Sequence, residues 1–487
     1  MLDKLKEIGF HGIIYSIGSI AQSAASFILF PFYTNYLTTS DFGAFSLIDL
    51  YGFLVGSVFY FGITSALPRS YFDHTEIEKR REVFSTGFII LLVGFILQQV
   101  FTFALSDSLS YIIFSSYEYT QHIELISISA GLNFVNQYFY SMLRLNRKSL
   151  SLSIISLVNL VTTLCVTIYL LSQLKMGIMA PIYGRCIVFS LTCLFLLYSL
   201  RSEFIKKFNF NESKLLLHFG IGMVFVNIAN ISIDWADRFF INKELSLAQV
   251  GIYSLAYKLG SVITLVFVAP FEQIWNPMMI DYKDQAGIKD LFSKVFLIFF
   301  VLGAFFCACI CVGMLIISPI LIQSNDFLPA LKLSPFISIG ILFYGAVNIT
   351  NAGLVFERKV GKIAKIFYFV SFINLILNYF LISNIGVWGA VLSTMISYLL
   401  VPIITGRVSR RFFEVHYKAL RVAPVLIVVL AYNYVTSTFF DFDHYITSSI
   451  LGIGSLIILG VSLFYYYTSK VERTLIIEKI RSKIKVS

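Results

Sequence analysis

Fourteen apolar runs, each about long enough to cross a bilayer, limit what this 487-residue chain can fold into. A membrane-spanning helix needs roughly 20 predominantly apolar residues. The runs lie at about 12–36, 44–66, 86–106, 123–143, 150–172, 178–200, 219–241, 250–271, 295–318, 333–356, 364–383, 387–406, 422–440 and 446–468. Only 13% of the residues are charged, about half the share in soluble domains. The sequence therefore predicts an all-α polytopic membrane protein of about 14 transmembrane helices, without a sizeable soluble domain.

Basic residues fall almost entirely on one side of this predicted topology. With the N-terminus taken as cytoplasmic, 31 of the 37 Lys and Arg residues are cytoplasmic, and three lie in outside loops. Such residues gather on the cytoplasmic side of membrane proteins. We therefore expect both termini in the cytoplasm. The net charge of +10 is then explained by the basic cytoplasmic loops, and no nucleic-acid partner is expected.

The two halves of the chain resemble each other at an offset of 208 residues. Residues 37–47 match residues 245–255, and both segments open the second predicted span of their half on the same side. This pattern is typical of parallel repeats about an axis along the membrane normal. The expected organisation is an N-terminal six-helix lobe at 1–200, a cytoplasmic linker at 201–218, a C-terminal six-helix lobe at 219–406, two additional helices at 407–468, and a basic tail at 469–487. The tail fits either an amphipathic surface helix or a frayed end.

A polar stripe recurs in both halves on one face of a predicted helix. Its members are Ser19, Gln22 and Ser26 in the first copy, and Asn227, Asn230 and Asp234 in the second. Two interpretations stay open. The stripe either holds neighbouring helices together by hydrogen bonds or lines a solvated cavity, which the more polar second copy favours slightly.

Charged residues inside predicted spans need a partner or a function, because each costs roughly 2.5–3.5 kcal/mol on insertion scales. Asp234 and Arg238 stand four residues apart with the acid first, the favourable order for a helical ion pair. We expect them to compensate each other as a structural ion pair. Asp237 is on a neighbouring part of the same helix and is less obviously paired.

Arg185, Lys258 and Asp49 have no sequence-local partner of opposite charge. They either pair across helices or face a polar cavity. Two cations and one acid in a cavity suit an anionic ligand, and arginine binds phosphate in a bidentate manner.

Motifs of catalysis and metal binding are missing from the sequence. No GxxxxGK[ST] phosphate loop, HExxH or GxSxG motif occurs, and the histidines and cysteines lack metal-ligand spacing. We expect a transporter and not an enzyme, without metal or cofactor. Its energy would come from an ion gradient, the substrate gradient or a partner.

Two segments carry a resemblance to a known family. Residues 237–241 (DRFFI) and 251–259 (GIYSLAYKL) resemble the hallmark of polysaccharide and O-antigen flippases of the Wzx type. Residues 37–47 resemble the first outside loop of that family. Length and helix count fit the multidrug/oligosaccharidyl-lipid/polysaccharide exporter superfamily over nearly the whole chain.

This resemblance implies two six-helix lobes around a central cavity that opens alternately to each side of the bacterial inner membrane. The implied substrate is an undecaprenyl-diphosphate-linked oligosaccharide, such as an O-antigen repeat unit. The implied partners are this lipid-linked sugar, membrane lipids, and a polysaccharide polymerase with chain-length proteins. The implied site residues are Arg185 and Lys258 for the diphosphate, Gln22, Asn227 and Asn230 for the sugars, and Asp49 and Asp237 for a coupling H⁺ or Na⁺. Because family members often have twelve spans, the last two helices are either peripheral or line a lipid groove.

Three other functions fit the sequence less well than this one. An ion-coupled multidrug or small-molecule antiporter of the same superfamily is the main alternative, and a cationic drug would prefer an acidic cavity. A membrane polymerase or ligase should carry a large outside loop, which the sequence lacks. An assembly scaffold would leave the intramembrane cations unexplained.

Overall fold

The structure is a computed structural model that describes residues 27–282, 287–440 and 444–467. Within these ranges all regular structure is helical. The first helix, α1, is described over residues 27–36. The helices that follow are α2 (Thr39–Phe59), α3 (Ile63–Asp73), α4 (Ile77–Phe114), α5 (Thr120–Leu145), α6 (Ser149–Ser172), α7 (Met179–Ser199), α8 (Phe210–Glu244), α9 (Leu247–Gly260), α10 (Ala269–Asp281), α11 (Ile288–Leu321), α12 (Pro329–Gly345), α13 (Val347–Thr350), α14 (Ala352–Phe356), α15 (Val360–Ile385), α16 (Val387–Ser409), α17 (Ala419–Phe439) and α18 (Tyr445–Tyr467).

The described part of the chain contains twelve helical segments long and apolar enough to cross a membrane. They match twelve of the fourteen predicted spans, which confirms a multi-span, all-helical membrane protein. α5 covers the predicted span at 123–143 but is not among these twelve segments. Residues 12–26 of the first predicted span lie outside the described residues, and its remaining part, residues 27–36, is α1.

Three predicted single spans are interrupted helices, and one of them, at 333–356, is divided into α12, α13 and α14. α2 and α3 are separated by Phe61 and Gly62, which adopt left-handed φ angles of 54° and 62°. A side chain on Gly62 would also overlap the carbonyl oxygen of Gly220, so glycine is required there. α9 and α10 are joined through a π-helical turn at Thr264–Val268. Pro270 follows this turn, and its missing N–H removes a regular helical hydrogen bond.

The helices pack as two compact units. The first unit holds the described residues up to Leu255, together with Ile320–Leu328 and Ala364–Ser397. The second unit holds Ala256–Pro319, Pro329–Ile363 and the described residues from Tyr398 onward. The lobe, linker and tail boundaries expected from the repeat stay a prediction.

Within the first unit, the two copies of the sequence repeat meet at equivalent positions. The pairs in contact are Gly43 with Leu247, Thr39 with Gly251, and Ser46 with Ser254. The hydroxyl oxygens of Ser46 and Ser254 are 2.7 Å apart. Thr39 thus contacts the repeat copy of Gly43, and Gly43 contacts the repeat copy of Thr39. Segments related by a two-fold axis make contacts of this reciprocal kind. The contact supports the parallel repeat inferred from residues 37–47 and 245–255.

Candidate functional site

A cavity of about 550 Å³ lies within the first unit, between α2, α5, α7 and α8. Its lining combines charged, amide, hydroxyl and aromatic side chains, which is a suitable surface for an amphiphilic ligand. The lining residues are Asp49, Phe53, Ser57, Tyr60, Asn133, Phe134, Arg185, Asn227, Ile231, Asp234 and Trp235.

Helical spacing explains why these residues meet. Asp49, Phe53 and Ser57 follow one another at intervals of four on α2 and therefore share one face of that helix. Asn227 and Trp235 stand eight residues apart on α8 and likewise share a face. Along α2, the lining from Asp49 to Tyr60 extends roughly 16 Å at 1.5 Å per residue. The cavity is therefore long enough for more than one chemical group of a ligand.

An ion pair between two helices forms part of this lining. Arg185 on α7 donates a hydrogen bond from Nη1 to Oδ1 of Asp49 on α2. The two side chains keep 27% and 28% of their surface exposed. The Arg185 guanidinium also lies 5.3 Å from the ring centre of Phe45. Arg185 and Asp49 thus form a pair that bridges two helices and also faces the cavity.

The charge balance of this lining differs from the expected excess of cations. The described lining residues include one cation, Arg185, and two carboxylates, those of Asp49 and Asp234. Lys258, the second expected cation, belongs to the second unit, where its side chain is half-buried. The described lining therefore carries one cation and two acids and is not cationic.

Four aromatic rings form one wall of the cavity. The ring centres of Phe53 and Trp235 are 6.4 Å apart, and those of Phe53 and Phe134 are 6.2 Å apart. Tyr60 packs against Phe134 at 4.7 Å. No sequence signal marks these four rings, because 16% of the residues are aromatic and most such residues in a membrane protein face lipid or fill the core.

The expected sugar-contact residues divide into two groups. Asn227 lines the cavity, where Asn133 from α5 supplies a second amide that the sequence analysis did not single out. Gln22 lies outside the described residues, and so does the side chain of Asn230.

Asp237 and Arg238 lie beside the cavity in a buried polar network and are 0% and 2% exposed. Asp237 Oδ1 accepts hydrogen bonds from the Arg238 backbone N–H at 2.8 Å and from Arg238 Nη1 at 3.3 Å. Its Oδ2 accepts from the hydroxyls of Tyr253 and Thr394. Arg238 thus forms an ion pair with Asp237. Toward Asp234, its Nη1 donates to the main-chain oxygen at 3.0 Å, and the expected pairing with the Asp234 carboxylate stays a prediction.

Comparison with solved structures assigns the fold. A lipid II flippase MurJ in an inward closed conformation aligns with a TM-score of 0.70 and 16% identity, over 93% of this chain and 99% of that one. An inward-facing multidrug resistance MATE family transporter of the MOP superfamily aligns at 0.65 and 12% identity, over 83% and 95%. A MOP superfamily transporter from Pyrococcus furiosus aligns at 0.59 and 12% identity, over 85% and 95%. The chain therefore has the fold of this flippase and transporter superfamily.

The family follows from the sequence itself. The family model described as polysaccharide biosynthesis protein matches residues 36–323, more than half of the chain. The chain belongs to this family. No curated protein matches its sequence.

Proposed function

We propose that the protein is a flippase. It moves an undecaprenyl-diphosphate-linked oligosaccharide, such as an O-antigen repeat unit, from the cytoplasmic to the outer leaflet of a bacterial inner membrane by alternating access. One observation carries the proposal: an arginine, two amides and a wall of aromatic rings share one elongated cavity. The family of polysaccharide biosynthesis proteins and the flippase fold support it.

The two ends of such a ligand suit different parts of the lining. Sugar rings present apolar C–H faces that pack on aromatic surfaces such as Phe53 and Trp235. Their hydroxyls pair with amides, and Asn227 and Asn133 supply these. The diphosphate suits Arg185, whose guanidinium can bind two phosphate oxygens at once.

Asp49 competes with the diphosphate for Arg185. Neutralising Asp49 with a proton or Na⁺ removes its attraction for the guanidinium and leaves Arg185 for the anionic ligand. The lining then carries one cation and one acid in place of one cation and two acids. Asp49 thereby couples diphosphate binding to an ion gradient.

The remaining assignments rest on the sequence resemblance. We propose Lys258 as a further diphosphate contact, Gln22 and Asn230 as further sugar contacts, and Asp237 as a second coupling site. A polymerase and chain-length proteins would use the exported repeat unit. Transport, and not catalysis, is the proposed activity.

Ligand binding to the purified protein tests this proposal. A ligand that binds only the folded state raises the melting temperature. We expect undecaprenyl-diphosphate oligosaccharide to stabilise the wild type more than undecaprenyl monophosphate or the free oligosaccharide does. Equal effects of all three compounds would contradict recognition of the diphosphate and the sugar together.

A cation antiporter is the second candidate, and the same cavity supports it. Asp49 and Asp234 are acidic, and aromatic faces attract organic cations. A lipophilic cationic dye distinguishes the two functions. The flippase proposal expects weak dye binding, unchanged by Asp49→Asn and Asp234→Asn. Tight binding that both substitutions abolish would favour the antiporter.

A further inference from the structure

Arg238 lies between a buried carboxylate and the wall of the cavity. On one side, its backbone N–H and Nη1 bond to Asp237. On the other side, its guanidinium carbon lies 4.7 Å from the ring centre of Trp235, and Trp235 lines the cavity. A single buried side chain therefore contacts both the proposed ion-coupling residue and the proposed ligand surface.

Other contacts hold Arg238 on its remaining sides. Nε donates to Ser254 Oγ at 3.2 Å, and Ser254 in turn bonds to Ser46. The guanidinium also lies 5.5 Å from the ring centre of Tyr253. Because Arg238 is 2% exposed, water does not readily replace a lost partner, and a change at Asp237 is taken up by protein neighbours, these among them.

In the part of the chain that the structure describes, the charged and titratable groups at Asp237 come from two helices. α8 supplies Arg238 and, one turn away, Asp234. α9 supplies the Tyr253 hydroxyl, and α16 contributes Thr394, which does not titrate. Arg238 is the only cation among the hydrogen-bond partners described for Asp237, so it experiences the largest electrostatic change when Asp237 is neutralised.

We infer that Arg238 transmits the charge state of Asp237 to Trp235, so that a proton or monovalent cation at Asp237 alters the aromatic wall of the cavity. With Asp237 ionised, the carboxylate holds the guanidinium. With Asp237 neutralised, the cation loses this partner and interacts more strongly with the Trp235 ring, as desolvated cations do with aromatic faces. Arg238 acts through Trp235 and is a positioning residue.

Thermodynamic linkage makes the effect reciprocal. If ion binding at Asp237 changes the affinity of the cavity for its ligand, the ligand changes the ion affinity by the same factor, typically about 5- to 150-fold. This inference rests on the proposed function for the identity of the ligand. The ion-dependent change at Trp235 itself requires no ligand.

Tryptophan fluorescence tests the inference, because the chain has three tryptophans: Trp235, Trp275 and Trp388. Trp275→Phe with Trp388→Phe leaves Trp235 as the sole tryptophan of the full-length protein. Its emission is recorded during a pH titration without Na⁺ and during a Na⁺ titration at constant pH, with choline replacing Na⁺ as the control. We expect a saturating change with one of the two ions.

Substitutions locate the origin of that signal. In the single-tryptophan protein, Asp237→Asn should abolish the response. Arg238→Lys keeps the charge but loses the planar group, so it should reduce the response at least several-fold. An unchanged response in Asp237→Asn would overturn the inference. The inference would also be overturned if the Trp235 emission responded to neither ion and the difference spectrum between the wild type and Trp235→Phe responded to neither ion as well.

A flipping assay on the same single-tryptophan protein separates this inference from the proposed function. Flipping of the lipid-linked oligosaccharide with an ion-insensitive Trp235 would refute the inference alone. An ion response at Trp235 without flipping would leave the inference intact and refute the flippase.

Discussion

At the scale of single residues, the account depends on the ion pair between Arg185 and Asp49. Arg185→Ala removes a charge-assisted hydrogen bond to the diphosphate, worth about 1.5–3 kcal/mol, so we expect flipping to fall about 10- to 100-fold. Arg185→Lys keeps the charge without bidentate geometry and should be intermediate. The measurement is initial flipping rate per folded protein. Equal rates in wild type and Arg185→Ala would remove Arg185 from the mechanism.

A second residue-scale prediction concerns the aromatic wall. Phe53→Leu keeps an apolar side chain but removes the flat ring that faces the cavity, so we expect weaker binding of the lipid-linked oligosaccharide by several-fold. Phe195→Leu on α7 is the matched control, because Phe195 is also exposed but does not line the cavity. Affinity is read from ligand-dependent melting temperatures. Equal losses in both variants would argue against a sugar platform.

Charged residues inside the membrane can be identified from the sequence more easily than the residues with which they pair. Asp49 and Arg185 are recognisable as intramembrane charges, but they stand 136 residues apart, and no spacing rule joins positions on different helices. The cavity lining also contains Asp234, so the expected surplus of cations does not occur there. Phe53 and Trp235 carry no local signal that separates them from lipid-facing aromatic residues.

At the scale of helices, the contact between α2 and α9 yields a cross-linking prediction. Ser46 Oγ and Ser254 Oγ are 2.7 Å apart, so Ser46→Cys with Ser254→Cys should form a disulfide under oxidation. If these helices separate during alternating access, the disulfide stops flipping and a reductant restores it. The two single cysteine variants are the controls. Full flipping by the quantitatively cross-linked protein would show that this contact stays closed throughout transport.

Glycine substitutions test the same contact without oxidation. A Cβ at Gly43 would overlap the Leu247 carbonyl oxygen, and one at Gly251 would overlap that of Thr39. Overpacking of this kind typically costs about 1–3 kcal/mol. We therefore expect Gly43→Ala and Gly251→Ala to lower the melting temperature by similar amounts. Gly454→Ala on α18, where the added Cβ meets open space, should not lower it, because alanine is the better helix former.

Helix positions were predictable because apolar runs dictate them, whereas helix interruptions were not. The run at 44–66 has no break in hydropathy, yet left-handed residues at Phe61 and Gly62 divide it where Gly220 packs closely. Such a break depends on a neighbour distant in sequence. For the π-helical turn before Pro270, the proline itself is the one local sequence feature that indicates an irregular helix.

At the scale of the whole molecule, the distribution of basic residues predicts the topology. Lys175→Cys lies in a predicted outside loop, and Lys359→Cys lies in a predicted cytoplasmic one. An impermeant maleimide added to intact spheroplasts should label the first and spare the second. Lysed membranes control for reactivity at both sites. Labelling of Lys359→Cys alone in intact spheroplasts would invert the orientation and the proposed direction of transport.

The fold class and the family resemblance could be predicted from the sequence, because the apolar runs and the repeat at an offset of 208 residues are visible in the sequence itself. The family model and the structural likenesses confirm them. The substrate, the coupling ion and the direction of transport stay proposals, because they depend on how the cavity side chains meet a ligand.

Flipping in proteoliposomes tests the central claim most directly. The purified protein is reconstituted with an undecaprenyl-diphosphate oligosaccharide, and periodate, which cannot cross the bilayer, reports the sugars in the outer leaflet. Proton and Na⁺ gradients are applied separately. The account predicts protein-dependent movement that responds to one gradient and falls about 10- to 100-fold in Arg185→Ala. No movement under either gradient, with the protein folded and correctly inserted, would contradict it.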